Sequence, residues 1–251
     1  HIMAKLFGFE ITRTKTQDNR EGESFTLPTP DDGAIDVAGG GFFGQSIDID
    51  GLEKTELDLI RRYRNIAQQP ECDAAIEDII NEGIVSNERG PAVSIVLETL
   101  NYPESIKRKI RGEFDEVLRL LDFNKRGHDI FRRWYVDGRM FYHKVIDKQN
   151  TRKGITELRW IDSVKIKKIR EVKKEYDRAS GTELVKDILE YYVYNDKGLA
   201  QGVTNQGIKI AADAITYVPS GIIEGNTGRV LSYLHKAIKP VNQLRMIEDA
   251  V

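Results

Sequence analysis

Before Gly138 the apolar residues of this chain recur mainly at helical spacing, and after it they alternate as in strands. The stretch from Phe131 to Asp147 contains the change. Ile130, Phe131, Trp134 and Tyr135 fall on one side of a helix, with Asp129, Arg132, Arg133 and Val136 opposite. Gly138 then interrupts. The next eight residues are aromatic and β-branched on both faces, as in a well-buried strand. Two large rings and an arginine pair thus stand at a helix-to-strand junction. The plain reading is a structural core containing Trp134, Tyr135, Phe141 and His143.

The elements on either side follow from the same pattern. Leu59, Ile60, Tyr63, Ile66 and Ala67 share a face of a first helix. Pro70 suits the first turn of a second, in which Ala75, Ile76, Ile79 and Ile80 are expected to face inward and Gly83 marks the exit. Val93–Leu97 has the composition of a brief strand. Pro103 opens a third helix with a long apolar stripe (Ile106, Ile110, Phe114, Val117, Leu118, Leu121) and a basic outer cluster, Lys107, Arg108, Lys109 and Arg111. Beyond Gly138, residues 155–161, 164–174, 186–195 and 214–218 suit a meandering antiparallel sheet, with a turn at Asn195–Gly198. Helical spacing returns from Leu231 through Leu234, Ile238, Val241, Leu244 and Ile247. Pro240 interrupts it, so a kink or a join between helices is expected near Lys239. The fold class is therefore α+β. The expected parts are a flexible arm over 1–50, a helical part over 51–138, an antiparallel β part over 139–222 and a closing helix over 223–251.

The arm lacks sustained periodicity. Its Gly39-Gly40-Gly41-Phe42-Phe43-Gly44 cluster resembles a phosphate loop only superficially, since no Gly-Lys-Ser/Thr follows and no strand precedes. A tether is the better reading, in which Phe42 and Phe43 could anchor on a neighbouring subunit. His1-Ile2 before Met3 reads as a cloning remnant. The helical pattern still running at Val251 reads as a truncated end.

Charge alters this picture little, because 38 basic residues nearly cancel 40 acidic ones. Tight non-specific duplex binding needs clustered cations that displace counterions. The one dense run is Lys165, Lys167, Lys168, Arg170, Lys173 and Lys174. It reads as a solvated strand face or as a contact with DNA or an acidic neighbouring subunit. Cys72 is the one cysteine, which excludes a disulfide framework, and no apolar run reaches the ~20 residues of a membrane span. His128, His143 and His235 are widely spaced and form no ligand pair. Asp137, Asp147 and Asp162 each close a segment, as turn-capping carboxylates do. A metal-dependent nuclease built on carboxylates is the weaker alternative, and no catalytic residue, metal or cofactor is assigned.

Several long, ordered stretches nevertheless carry a specific resemblance. Phe131–Asp147, Lys153–Asp162, Lys168–Val172, Thr55–Asn65 (with Arg61-Arg62-Tyr63-Arg64-Asn65) and Tyr233–Val251 together resemble the portal vertex proteins of T4-like tailed bacteriophages, cyanobacterial members most nearly. The resemblance runs from about residue 54 to the end. It implies a homo-oligomeric ring, dodecameric in the family, at one capsid vertex of the virion. Double-stranded DNA passes through such a ring without tight binding. Implied partners are the packaging motor (terminase), the major capsid and scaffolding proteins, and the neck proteins. This chain would hold the wing and the start of the stem, with no enzymatic activity and no cofactor.

Overall fold

The computed structural model describes residues 4–6, 9–11, 32–38, 49–85, 91–178, 181–199, 207–225 and 227–250. Two short strands, β1 (Ala4–Leu6) and β2 (Phe9–Ile11), form an antiparallel hairpin near the start. β3 (Ile35–Ala38) follows. Then come the helices α1 (Ile49–Ile66), α2 (Pro70–Gly83), α3 (Glu104–Leu121) and α4 (Phe123–Asp137). The β part contains β4 (Arg139–Ile146), β5 (Ile155–Ile161), β6 (Ile166–Asp177), β7 (Thr182–Tyr194), β8 (Ile208–Ala211) and β9 (Ile215–Pro219). A 3-10 turn over Tyr233–Ala237 leads into α5 (Ile238–Glu248). The class is α+β, as expected.

The strands differ from the single meander expected. They form two sheets, β5-β4-β9 and β3-β6-β7-β8. Each pairing within them is antiparallel except β3 with β6, which is parallel, Ile35 opposite Ile169 and Ala38 opposite Val172. Part of the expected arm is therefore a sheet edge, with Val37 buried. The Gly39–Gly44 cluster lies outside the described residues. Val93–Leu97 forms no strand, and Leu97 alone of its side chains is buried.

Three apolar clusters hold these layers. Tyr63, Ala67, Ile76, Ile80, Val136 and Leu234 join α1, α2, α4 and the turn before α5. Val136, on the polar side of α4 by periodicity, is its buried apolar residue, because α1 and α2 cover that side. On α2 only Ile76 and Ile80 turn inward, while Ala75 and Ile79 face solvent. Phe141, Ile166, Tyr192 and Ile215 join the two sheets, with the Phe141 and Tyr192 rings edge to face at 6.1 Å. Val37, Ile169, Tyr191 and Val193 form a third cluster on the four-stranded sheet.

Two backbone positions set the turns around α4. Asp122 links α3 to α4 in the left-handed region (φ 48°), which Asp tolerates better than most residues. Gly138 ends α4 at φ 70°. A Cβ there would stand 2.7 Å from the Leu231 carbonyl oxygen and 2.8 Å from Ser232 Cα, so both φ and space require glycine. The crossing segment is tied down: Ser232 Oγ donates to Tyr135 O (3.0 Å) and Ser220 Oγ to Leu231 O (2.6 Å). The expected join near Lys239 falls at Ala237–Ile238, which puts Pro240 in the first turn of α5 where its missing N–H costs nothing.

Candidate functional site

Ending α4 at Gly138 makes Arg139 the first residue of β4 and turns its side chain inward. There it donates to Glu56 of α1 and, at 2.5 Å, to the Val230 carbonyl. Lys167 of β6 forms an ion pair with the same carboxylate, Nζ to Oε2 2.9 Å. All three side chains are buried. Burial opposes ionisation of Glu56, but the fields of Arg139 and Lys167 outweigh it and bring its pKa down to about 2. Burial likewise disfavours the charged form of Arg139, and Glu56 reverses that, keeping the guanidinium firmly protonated. One carboxylate thus clamps α1 to a strand from each sheet.

Two further networks extend the clamp. Arg64 of α1 forks onto Asp137 (2.9 and 2.7 Å) and reaches Asp162 at 2.6 Å. Asp162 is held below the usual carboxylate range, burial notwithstanding, by its hydrogen bond from Arg64. On the four-stranded sheet, Arg170 meets Glu190 (2.7 Å), Asp32 (2.8 Å) and Asp36 (3.3 Å), and Lys168 pairs with Asp32 and Glu190.

The basic run over 165–174 is thereby divided. Lys167 and Arg170 are buried, and Lys168 is enclosed by its two carboxylates. Lys165 pairs with Asp196 at 3.1 Å, Lys173 lies 3.7 Å from Asp187, and Lys174 is exposed. The six cations do not form one outward stripe, because β6 is a central strand covered on both faces over its first half. Of the core residues expected around the junction, Phe141 is 3% exposed, while Trp134, Tyr135 and His143 keep part of their surface open. Tyr135 stacks on Tyr233 at 5.0 Å between centroids, and Trp134 meets the same ring tilted, at 5.3 Å. Arg132 pairs with Asp73 and Glu77 of α2, and Arg133 lies 4.3 Å over the Trp160 ring.

An apolar groove opens beside the junction. It occupies about 470 Å³ between the α3–α4 pair and the three-stranded sheet, lined by Val117, Leu121, Phe131, Trp134, Leu158 and Val218 among others. Val117 and Leu121 are the α3 residues that line this groove, and no α3 residue is buried. At the other end of the chain Leu244, Met246 and Ile247 of α5 are exposed. The remaining chemistry is structural: His235 Nδ1 lies 2.8 Å from Tyr63 OH and His128 Nε2 3.0 Å from Ile84 O. Burial pushes the Cys72 thiol up, away from the reactive thiolate. Among the described residues no group of His, Cys, Asp and Glu could hold a metal ion, and no helix is long and apolar enough to cross a membrane.

Residues 56–251 match the family described as bacteriophage T4-like portal protein (Gp20). The chain belongs to that family. It is 40% identical over 203 residues to the portal protein of Vibrio phage KVP40, covering 77% of this chain and 39% of that protein. To the portal protein of Salmonella phage ViI it is 29% identical over 237 residues, 89% of this chain and 42% of that one. The chain therefore spans about two fifths of the length of these curated relatives. The portal-family match begins at Glu56, the carboxylate of the buried clamp, so the whole clamp lies inside it.

Proposed function

We propose that this chain is the wing and stem-entry part of a viral capsid portal subunit. In the full-length protein it would contribute to a homo-oligomeric ring, a dodecamer, at the head vertex through which double-stranded DNA is packaged and ejected. Residues 51–138 and 139–222 make the helical and β parts of the wing, and 223–251 lead into the stem. The packaging motor, the major capsid and scaffolding proteins and the neck proteins are its partners. The subunit has no catalytic role of its own, is made in the host bacterial cytoplasm and resides in the virion.

The observation that carries this reading is the family match over 56–251. The surface supports it independently. A ring of identical subunits needs heterologous contacts, in which one patch of a copy meets a different patch of the next. This chain presents a concave apolar groove beside α3 and exposed apolar side chains on α5 (Leu244, Met246 and Ile247), and large exposed apolar patches mark contact sites. The internal pairing of the basic β6 strand suits a conduit, since phosphate-binding cations would hinder sliding DNA.

The test is assembly of the full-length protein with Val117→Glu and Val218→Lys in the groove. Both side chains are more than two fifths exposed, 46% and 44%, so the monomer should melt unchanged. Light scattering should show rings for the parent and smaller species for the variant. Rings of unchanged size and stability would remove the groove from the subunit contact. Failure of the parent full-length chain to form rings would reject the portal reading itself.

A further inference from the structure

One imidazole ties the closing helix to the helical layer. Tyr63 of α1 is 0% exposed, and its hydroxyl lies 2.8 Å from Nδ1 of His235, in the 3-10 turn that precedes α5. The two rings meet edge on, 6.0 Å between centroids. Burial pushes the ionisation of Tyr63 up, so the phenol keeps its proton. Its oxygen already accepts a hydrogen bond from the Ser232 backbone N–H. Among the described residues, His235 Nδ1 is the one acceptor that its O–H reaches. That count assigns the proton between the rings to Tyr63. His235 is then a neutral imidazole with its own hydrogen on Nε2 and a lone pair on Nδ1.

Protonation of that ring removes the acceptor. An imidazolium carries a hydrogen on both nitrogens and has no lone pair to offer. The Tyr63 hydroxyl would become a buried donor without a partner, which costs free energy. Tyr63 is enclosed by Ala67, Ile76, Ile80, Val136 and Leu234, whereas His235 is half-buried and can turn outward. The surrounding charges pull in both directions. Glu224 favours the imidazolium, but Arg229 holds that carboxylate at 2.6 Å and Thr227 donates to it as well. Arg229 itself and Arg139, whose field also reaches Tyr63, oppose a further cation. From α4 the cluster meets Val136 and the Tyr135 ring, whose ionisation burial also pushes up, and from α5 it meets Ile238. Lys236 and Lys239 are exposed. We propose that the Tyr63–His235 hydrogen bond is a proton-sensitive latch holding the 3-10 turn and the start of α5 against α1, closed while the imidazole is neutral and released when it is protonated. The unfolded chain takes up that proton without losing such a bond, so the latch stabilises on the alkaline side of the histidine range and is lost on the acid side. Every group in it belongs to one subunit, so the inference does not rest on ring formation.

Hydrogen exchange of this chain at about pH 7.5 and about pH 5.5 tests the latch, with rates corrected for the intrinsic effect of pH on exchange. Amides over 234–239 should lose protection at the lower pH by about tenfold, while those of β4 keep theirs. His235→Gln offers an amide oxygen as acceptor and cannot titrate, so its protection over 234–239 should be the same at both pH values. Tyr63→Phe removes the donor that needs the acceptor, and should abolish the pH dependence by the opposite route. Either variant serves if the other fails to fold. Equal protection of the parent at both pH values, or a pH dependence that survives in either variant, would overturn the proposal.

Discussion

The clamp around Glu56 and the groove beside α3 invert the usual placement of side chains. In the first, three charged groups are closed off from solvent where α1 meets β4 and β6. In the second, an apolar stripe as long as the eighteen-residue helix α3 has no buried member. Interior ions give direction: each arginine accepts only carboxylates placed to match its fork, so the helices cannot slide over the sheets. Exposed apolar surface gives adhesion without direction. A part that is rigid within and adhesive at its rim is suited to being one of many in an assembly.

The comparison predicts a ranking. Arg139→Met leaves Glu56 buried with Lys167 as its remaining ion-pair partner and should cost about 3–5 kcal/mol in chemical denaturation. Replacing Glu56, Arg139 and Lys167 together by Leu, Met and Met should cost far less than that single change. A triple variant as unstable as Arg139→Met would mean that shape, rather than charge, matters at the clamp. Acid should act next. Glu56 has a folded pKa of about 2, below its unfolded value, so its contribution is present above the unfolded pKa. That contribution, on the order of 3 kcal/mol, should be lost as pH falls from about 4.5 towards 2. A melting temperature flat across that window would contradict the pairing.

Trp134 lies between the two regions, packed at a tilt against Tyr233 and lining the groove. Because it is half-buried, Trp134→Ala should cost about 2 kcal/mol, less than the ~3–5 kcal/mol of an enclosed aromatic. An unchanged melt would assign the ring to contacts with partners alone. On the open side, Val117→Glu should change monomer stability by less than about 0.5 kcal/mol. The smallest protection should be found on α5, where Met246 is 73% and Ile247 62% exposed. Hydrogen exchange over 240–250 should be fast in a dilute monomer, and strong protection there would show that the helix end belongs to the closed region.

Much of the fold is legible in the residues, since helices and strands leave periods that single stretches display. Pro70, Pro103 and Gly138 stand where α2, α3 and α4 begin or end. What pairs across the chain leaves no such trace. Residues 35–38 look like linker because their partner, Ile169 to Val172, lies over a hundred residues away and supplies the reason to be a strand. The strand periods of β4 and β6 are alike, so nothing local tells that they enter different sheets. Val136 and Ile79 break the facing rule because burial depends on which helices lie alongside. At the candidate site, the cations of 165–174 are visible as a run, but their acids are Glu56, Asp32 and Glu190, and a run seen alone reads as exposed. The groove was foreshadowed by the α3 stripe; that the stripe lacks a cover is a property of the packed molecule.

The crossing of Leu231-Ser232 over Gly138 acquires a mechanical meaning when α5 is considered as a lever. Gly138 admits the crossing backbone at a distance no side chain would allow, and hydroxyl groups of Ser220, Ser232 and Tyr233 fasten it to carbonyls of Leu231, Tyr135 and Ser220. A pull along α5 would therefore be resisted by several hydrogen bonds that fasten the crossing segment beside Gly138. The load would fall on the α4–β4 corner through Ser232 and Tyr135, and the corner is backed by Arg139 and its carboxylate on α1.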